Sequence, residues 1–307
     1  MSQETDIAKV KEVWGDGAGA STWRSGQRLH WTQHPKVQER LNLLVSGDVY
    51  RNRFEYFLDR YLRGRLPVER ALTLGSGHGE LERGLTQYNF ATRHEGVDIS
   101  DGAVAAATRL ANEAGLQHIS YRIADINSIE LPENTYDVVF GVGSIHHTAR
   151  LEHLFAQVAH SLKPDGFFFL DEYVGPSHFQ WTDKQLAAIN KAAAALPARY
   201  GMRIDDPRLP KPPVTRMSVA EMNAIDPSEA VRSSEIIELL PKYFDVVETR
   251  GAGGSLLHLL LEHITGNFDE SDPDAMLYLQ SLFDLEDELI AAGTLQHDFA
   301  VIIAARR

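Results

Sequence analysis

Ala71-Leu72-Thr73-Leu74-Gly75-Ser76-Gly77-His78-Gly79-Glu80-Leu81-Glu82 decides how this chain is read. It begins as a short apolar strand, breaks into a glycine-rich turn, and resumes as a helix over about 78–88. Glycine at every second position lets backbone N–H groups approach a ligand that a Cβ would hold off. The helix points its positive end into the turn and favours an anionic ligand group. A dinucleotide fingerprint, G-x-G-x-x-G, would need its third glycine where Glu80 stands. The run is G-x-G-x-G instead, which speaks against an NAD-dependent oxidoreductase built on a similar sheet.

Outward from this turn the rhythm is regular. Residues 93–99 form a second strand carrying Asp98, 19 residues after Gly79, where a carboxylate would meet the two hydroxyls of a ribose. A third strand, 119–124, leads into Asp125-Ile126, and a fourth, 136–143, into Ser144-Ile145-His146-His147. After a helix, the breaker Lys163-Pro164-Asp165-Gly166 precedes a fifth strand, 167–173. Strand alternating with helix predicts a parallel sheet covered on both faces. Taken together over about 70–175, these motifs resemble the class I S-adenosylmethionine-dependent methyltransferases, in the small-molecule branch with a His-His pair after the fourth strand. The resemblance implies an α/β, Rossmann-like, seven-stranded and mostly parallel sheet, with S-adenosylmethionine as cofactor.

In an open α/β sheet, ligands bind beyond the carboxyl ends of the strands where the strand order reverses. Carried onto this chain, the resemblance puts Gly75, Ser76, Gly77 and Gly79 under the amino-acid end of the cofactor. Asp98 would hold the ribose, Asp125 would accept from the adenine amine, Ile99 and Ile126 would sandwich the ring, and Val142 would border the crevice. One position departs from the family pattern: Thr73 stands where an acid usually helps to place the methionine portion. Methyl transfer needs a base only if the nucleophile must first lose a proton, as an aliphatic hydroxyl does. His146 is the expected base, with His147 as its alternate. Asp171 or Glu172 could orient the imidazole; alternation lets only one face the crevice, and Asp171 is the choice. No His-x-x-His or acid-x-acid spacing supports a metal, so none is expected.

The 307-residue chain is 43% hydrophobic and 24% charged, an ordinary soluble balance that can bury a full core. No window approaches the ~18 apolar residues of a membrane span. The polar, acidic start is unlike a secretion signal, and the absence of cysteine removes disulfides, thiolate metal sites and cysteine nucleophiles. Cytoplasm is the default compartment. The net charge of −13 includes ten acids and no Lys or Arg between Gly251 and Ala305. A nucleic-acid enzyme would show a basic track instead.

The chain divides into four segments: an N-terminal helical cap (1–66), a cofactor-binding core (67–175), a helical lid for the substrate (176–242), and the rest of the sheet with two acidic helices (243–307). The cap is expected to hold helices over 7–14, after Thr32 with Pro35 near the start, and over 50–62. Five of the thirteen prolines fall in 197–213, which cannot be regular. Trp31 and His34, beside Trp23, Arg24 and His30, and Trp181 and Arg232 in the lid are the candidate acceptor-binding residues. Aromatic faces with scattered donors suit a sugar or secondary metabolite, so O-methylation of a small molecule is the leading expectation. N- or C-methylation, or a methyltransferase-like protein without activity, are the alternatives. A homodimer is compatible with the sequence; nucleic-acid and membrane partners are not expected.

Overall fold

The computed structural model describes residues 9–11 and 28–307. Trp23, Arg24 and most of the helix expected over 7–14 lie outside the described residues. Seven strands, β1 (Val68–Leu74), β2 (Ala91–Asp98), β3 (Ile119–Ile123), β4 (Tyr136–Val142), β5 (Leu162–Tyr173), β6 (Phe244–Gly251) and β7 (Phe299–Arg306), form one sheet. Their order is β3-β2-β1-β4-β5-β7-β6. Neighbours from β3 to β5 pair in parallel, while β7 runs antiparallel between β5 and β6. This is the Rossmann-like, seven-stranded, mostly parallel sheet that the sequence implied. The order reverses between β1 and β4, so the glycine turn and the His-His turn flank one crevice.

The central strand β4, Tyr-Asp-Val-Val-Phe-Gly-Val, is buried along nearly its whole length, as a strand covered on both faces must be. Alternation sends Leu72 and Leu74 to a core with Val139, Phe155 and Phe168, and Ala71 to the opposite core with Phe57, Phe140 and Phe169. In the second core, the rings of Phe57, Phe140 and Phe169 lie 5.0–6.2 Å apart. Burying each such side chain contributes roughly 1.5–3 kcal/mol.

The flanking helices begin where their caps dictate. Helix α1 (Pro35–Ser46) has Pro35 in its first turn, His34 as N-cap and Gly47 as a left-handed C-cap. Helix α2 (Arg53–Tyr61) opens with an Asn52/Glu55 capping box. The short helix α3 (Glu80–Leu85) follows the glycine turn, and Ser100 caps α4 (Asp101–Glu113). Helix α5 (Leu151–Ser161) leads into β5. The breaker at 163–166 does not precede β5 as expected but lies inside it. Leu162 pairs with Tyr136, the register then shifts, and pairing resumes at Phe167, so the proline and glycine occupy residues that need no ladder bond.

Beyond β5 come α6 (Asp183–Ala195), α7 (Val219–Ile225) and the single turn α8 (Ile236–Leu239). Between β6 and β7 lie α9 (Leu257–Leu261) and α10 (Pro273–Ala291). A third core joins Trp31 and Val37 to Ile189 of α6, Leu257 and Leu260 of α9, and Leu279 and Phe283 of α10. Three stretches far apart in sequence thus make one helical layer. Its acids are not all solvated. Glu286 of α10 is buried, accepts from Leu256 N (2.8 Å) and Leu257 N (3.1 Å), and pairs with Arg40 of α1 at 3.1 Å.

Candidate active site

Gly75, Gly77 and Gly79 all take positive φ, between +49° and +76°. At Gly75 the need is steric as well, since a Cβ would lie 2.4 Å from the Cβ of Ser144. Gly77 is different: a Cβ there would point into open space. Ser144 Oγ donates to Leu74 O (2.6 Å), and Gly77 N donates to Asp98 Oδ2 (2.9 Å), which ties the tips of β1, β2 and β4 together. Asp98 Oδ1 also accepts from Ser100 N at 2.8 Å. Ser76 is buried, with no partner for its hydroxyl. Ile99, Ile126 and Val142 are half-buried around the same rim. Asp125 Oδ1 accepts from the backbone of Asn127 (2.8 Å), whose own amide oxygen accepts from Ala149 N and Arg150 N beside the His-His turn. An open cradle at Gly77, an unpartnered hydroxyl at Ser76 and a carboxylate at Asp98 fit the amino-acid and ribose parts of a nucleoside cofactor.

Thr73 is buried and bonds His94 across the sheet (Oγ1–Nε2, 2.9 Å). A carboxylate nevertheless reaches this region from α3. Glu82 lies against Gly96, the register partner of Thr73, with both oxygens buried and unpartnered. Burial pushes its pKa up to about 7. An acid three residues past a glycine turn gives no sign in the sequence that it will fold inward.

His146 and His147 sit in a single 3-10 turn, Ile145–His147, with ring centroids 4.2 Å apart. The carboxylate behind His146 is Glu172, not Asp171. Asp171 shares its face of β5 with Phe169, turns towards α2, and forms an ion pair with Arg53 there. Glu172 shares the face of Phe168 and Leu170 and is fully buried. It accepts from Ser144 N (2.7 Å), Ile145 N (2.7 Å) and His146 Nδ1 (2.7 Å). The bond at Nδ1 assigns the ring hydrogen to that nitrogen and leaves a lone pair on Nε2, which lies 3.6 Å from Glu229 Oε1. Burial pulls the His146 pKa down, but the bond and charge of Glu172, with Glu229 and Asp226 in range, outweigh it and raise the pKa. Burial and the neighbouring His146 hold His147 well below its ordinary value. His147 Nδ1 lies 3.1 Å from Ser228 Oγ, which donates to Asp226 (2.7 Å), so His147 Nε2 also carries the lone pair. One ligand atom from each of His146, His147 and Glu229 lies within 4.8 Å of the others, close enough to hold a cation.

Of the residues expected to bind the acceptor, Trp31 and Trp181 are buried, and Trp181 stacks on Phe179 (4.9 Å, 11°). His34 does not serve the site. Its Nδ1 caps α1 and its Nε2 bonds Phe268 O at 2.6 Å. Arg232 does not either, because its guanidinium grips Glu152 through two 2.7 Å bonds and also holds Glu235. Sequence reasoning passed over a run of rings leading away from His146: Tyr173 at 6.2 Å, Phe179 5.0 Å beyond it, then His258 6.4 Å from Phe179. Nothing in the spacing of these residues joins them; only the packing of the helical layer on the sheet does. Two shallow clefts, around Asp48 and Tyr88 and around Arg70 and His118, contain none of these residues and open near the amino ends of the strands.

Residues 72–170 match the family model described as methyltransferase domain. The chain is similar to a sterol 24-C-methyltransferase of Aspergillus fumigatus, 27% identical over 120 residues, or 38% of this chain and 32% of that protein. It is also similar to 27-O-demethylrifamycin SV methyltransferase of Amycolatopsis mediterranei, 26% identical over 146 residues, or 44% and 52%. A third relative is phosphoethanolamine N-methyltransferase 2 of Caenorhabditis elegans, 28% identical over 118 residues, or 38% and 26%. The match therefore spans between about a quarter and a half of the length of these relatives. Among solved structures it is similar to the [4+2]-cyclase SpnF, 15% identical over 98% of this chain and 92% of that one, with a TM-score of 0.49.

Proposed function

We infer, from the match of residues 72–170 to the methyltransferase-domain model, that the protein transfers a methyl group from S-adenosylmethionine to a hydroxyl of a small molecule. A sugar or a secondary metabolite fits best. The open cradle at Gly77, the hydroxyl of Ser76 and the carboxylate of Asp98 would hold the cofactor, with Asp125, Ile99 and Ile126 at the adenine and Val142 beside the methyl group. When bound, the sulfonium supplies an electrophilic methyl with a neutral thioether as leaving group.

The observation that carries the O-methylation reading is the 2.7 Å bond from His146 Nδ1 to the buried carboxylate of Glu172. An amine in its neutral form could attack without a base, whereas a hydroxyl must lose its proton. His146 would take that proton at Nε2. Glu172 fixes the tautomer beforehand and stabilises the imidazolium afterwards. His147, held by Ser228, walls the other side. Alignment of acceptor and methyl supplies the larger share of the acceleration, up to ~7–11 kcal/mol.

The test has two parts. Calorimetry with S-adenosylhomocysteine should show binding, and its absence would remove the cofactor site. His146→Ala should then lower kcat by roughly 10²–10⁴-fold with cofactor affinity unchanged. An unaltered kcat would leave alignment alone as the mechanism.

A further inference from the structure

A second group of polar side chains lies at the far end of the run of rings. His258 of α9 is 6.0 Å from His30 and 6.1 Å from Trp31, ring to ring. Ligand atoms of His30, His258 and Glu262 come within 4.8 Å of one another. Three buried atoms here have no hydrogen-bond partner: Trp31 Nε1, His258 Nδ1 and Glu262 Oε2. Leaving a buried polar atom unpaired is costly, and native structures carry few of them. Three contributed by two separate segments mark a place where something else completes the bonding.

We propose that Trp31, His258 and Glu262 bind the remote hydroxyls of a neutral, polyhydroxylated acceptor, a glycoside, whose reacting hydroxyl lies at His146. This rests on the methyltransferase reading above and deepens it by naming the acceptor class. The argument is one of donor and acceptor balance. The indole N–H of Trp31 only donates, a carboxylate oxygen accepts, and Lys211, bonded to the backbone oxygen of Glu262 at 2.5 Å, adds a nearby donor. A phosphate or carboxylate would want donors alone and would face Glu262. An ammonium would want acceptors alone and would face Trp31 and Lys211. A hydroxyl does both. Burial keeps both imidazoles neutral, with His30 lowered to about 4 and His258 to about 3, while it raises Glu262 to about 7 and lowers Lys211 to about 8. Between the two ends, half-buried Phe179 and Phe299 present ring surface over buried Tyr173, and Phe299 lies 5.4 Å from Tyr173 and 5.3 Å from His258. That surface suits the C–H face of a sugar ring. A cation held by His30, His258 and Glu262 is the rival occupant, which chelation distinguishes.

The experiment is saturation-transfer NMR on the full-length protein with a panel of methyl pyranosides, each measured with and without S-adenosylhomocysteine. Inorganic phosphate and choline serve as counter-probes, and all are repeated in EDTA. At least one pyranoside should bind saturably and insensitively to EDTA. Its affinity should fall by about tenfold in His258→Asn and in Glu262→Gln, while the affinity for S-adenosylhomocysteine stays unchanged and reports the fold. The proposal is overturned if no pyranoside binds, if the variants leave pyranoside affinity intact, if phosphate or choline binds in a manner these variants abolish, or if EDTA removes binding. Pyranoside binding by a protein that fails to bind S-adenosylhomocysteine would sink the methyltransferase reading and still support this site.

Discussion

Replacing Glu172 with glutamine changes one oxygen to an amide nitrogen and almost nothing in volume, yet it reverses the hydrogen-bond pattern around His146. In the native protein one carboxylate accepts from two backbone N–H groups at 2.7 Å and from His146 Nδ1 at 2.7 Å. The amide oxygen of glutamine would stay with Ser144 N and Ile145 N, because its NH2 group cannot face two donors. That leaves the NH2 towards His146 Nδ1, which must then accept. The ring hydrogen moves to Nε2, and the lone pair facing the acceptor disappears. The charge that steadies the imidazolium goes as well. The expected loss in kcat is about 10²–10⁴-fold, and the comparable Asp→Asn exchange in a serine-protease triad costs ~10⁴. Stability should fall by about 1.5–3 kcal/mol, since a bond to a charged group is replaced by a neutral one. Two measurements suffice: turnover by S-adenosylhomocysteine release, and the ¹⁵N shifts of the His146 ring, which exchange their protonated and unprotonated values when the tautomer flips. If the shifts exchange and kcat stays within a factor of about three, the His146 lone pair does not carry the chemistry.

Two of the turn glycines, Gly75 and Gly77, should lose stability to different extents on replacement by alanine. Gly75→Ala forces a Cβ to 2.4 Å from that of Ser144 and should destabilise the fold, whereas Gly77→Ala meets nothing and should cost only ~1–2 kcal/mol of left-handed backbone strain. Gly77→Ala should nevertheless weaken S-adenosylhomocysteine binding by calorimetry; an unchanged Kd would place the cofactor elsewhere. Glu82 holds its proton up to about pH 7 when folded, against an ordinary 4.5. Stability should therefore decline as pH rises from about 4.5 to about 7 and then stay low, a penalty of at most ~3 kcal/mol. Glu82→Gln should raise the Tm at pH 8 and leave it unchanged at pH 4; equal shifts at both would show that Glu82 carries no such penalty.

The core was legible because its signals are local. Alternating apolar residues, paired glycines and acids at strand ends depend on neighbours a few positions away, and they located the strands from β1 to β5. The choice of Asp171 over Glu172 failed for want of one piece of non-local information. Alternation says that the two carboxylates face opposite ways, but not on which side the turn at 145–147 will fold back. His34 and Arg232 were drawn to the acceptor by their chemistry alone, yet a capping position and two glutamates claimed them. Of the proposed polar end of the acceptor site only Trp31 was legible, for a related reason: it meets His258 and Glu262 only because the N-terminal segment and α9 share the helical layer. Thr73 was read as a departure from the family pattern, and the inward turn of Glu82 had no antecedent in the spacing.

The segment 226–232 belongs to the insertion between β5 and β6, yet it is stitched to the turn that carries the imidazoles. Val231 N donates to His146 O at 3.1 Å, Ser228 supports His147, and Arg232 holds Ala149 O at 3.0 Å. If the insertion binds the acceptor and His146 acts as base, as proposed above, recognition and reactivity are mechanically linked along the chain. An engineer who exchanged 176–242 for a relative's insertion to obtain a new acceptor would also remove the struts of both imidazoles. A chimera that keeps 226–232 and replaces only 178–218 would leave those supports in place.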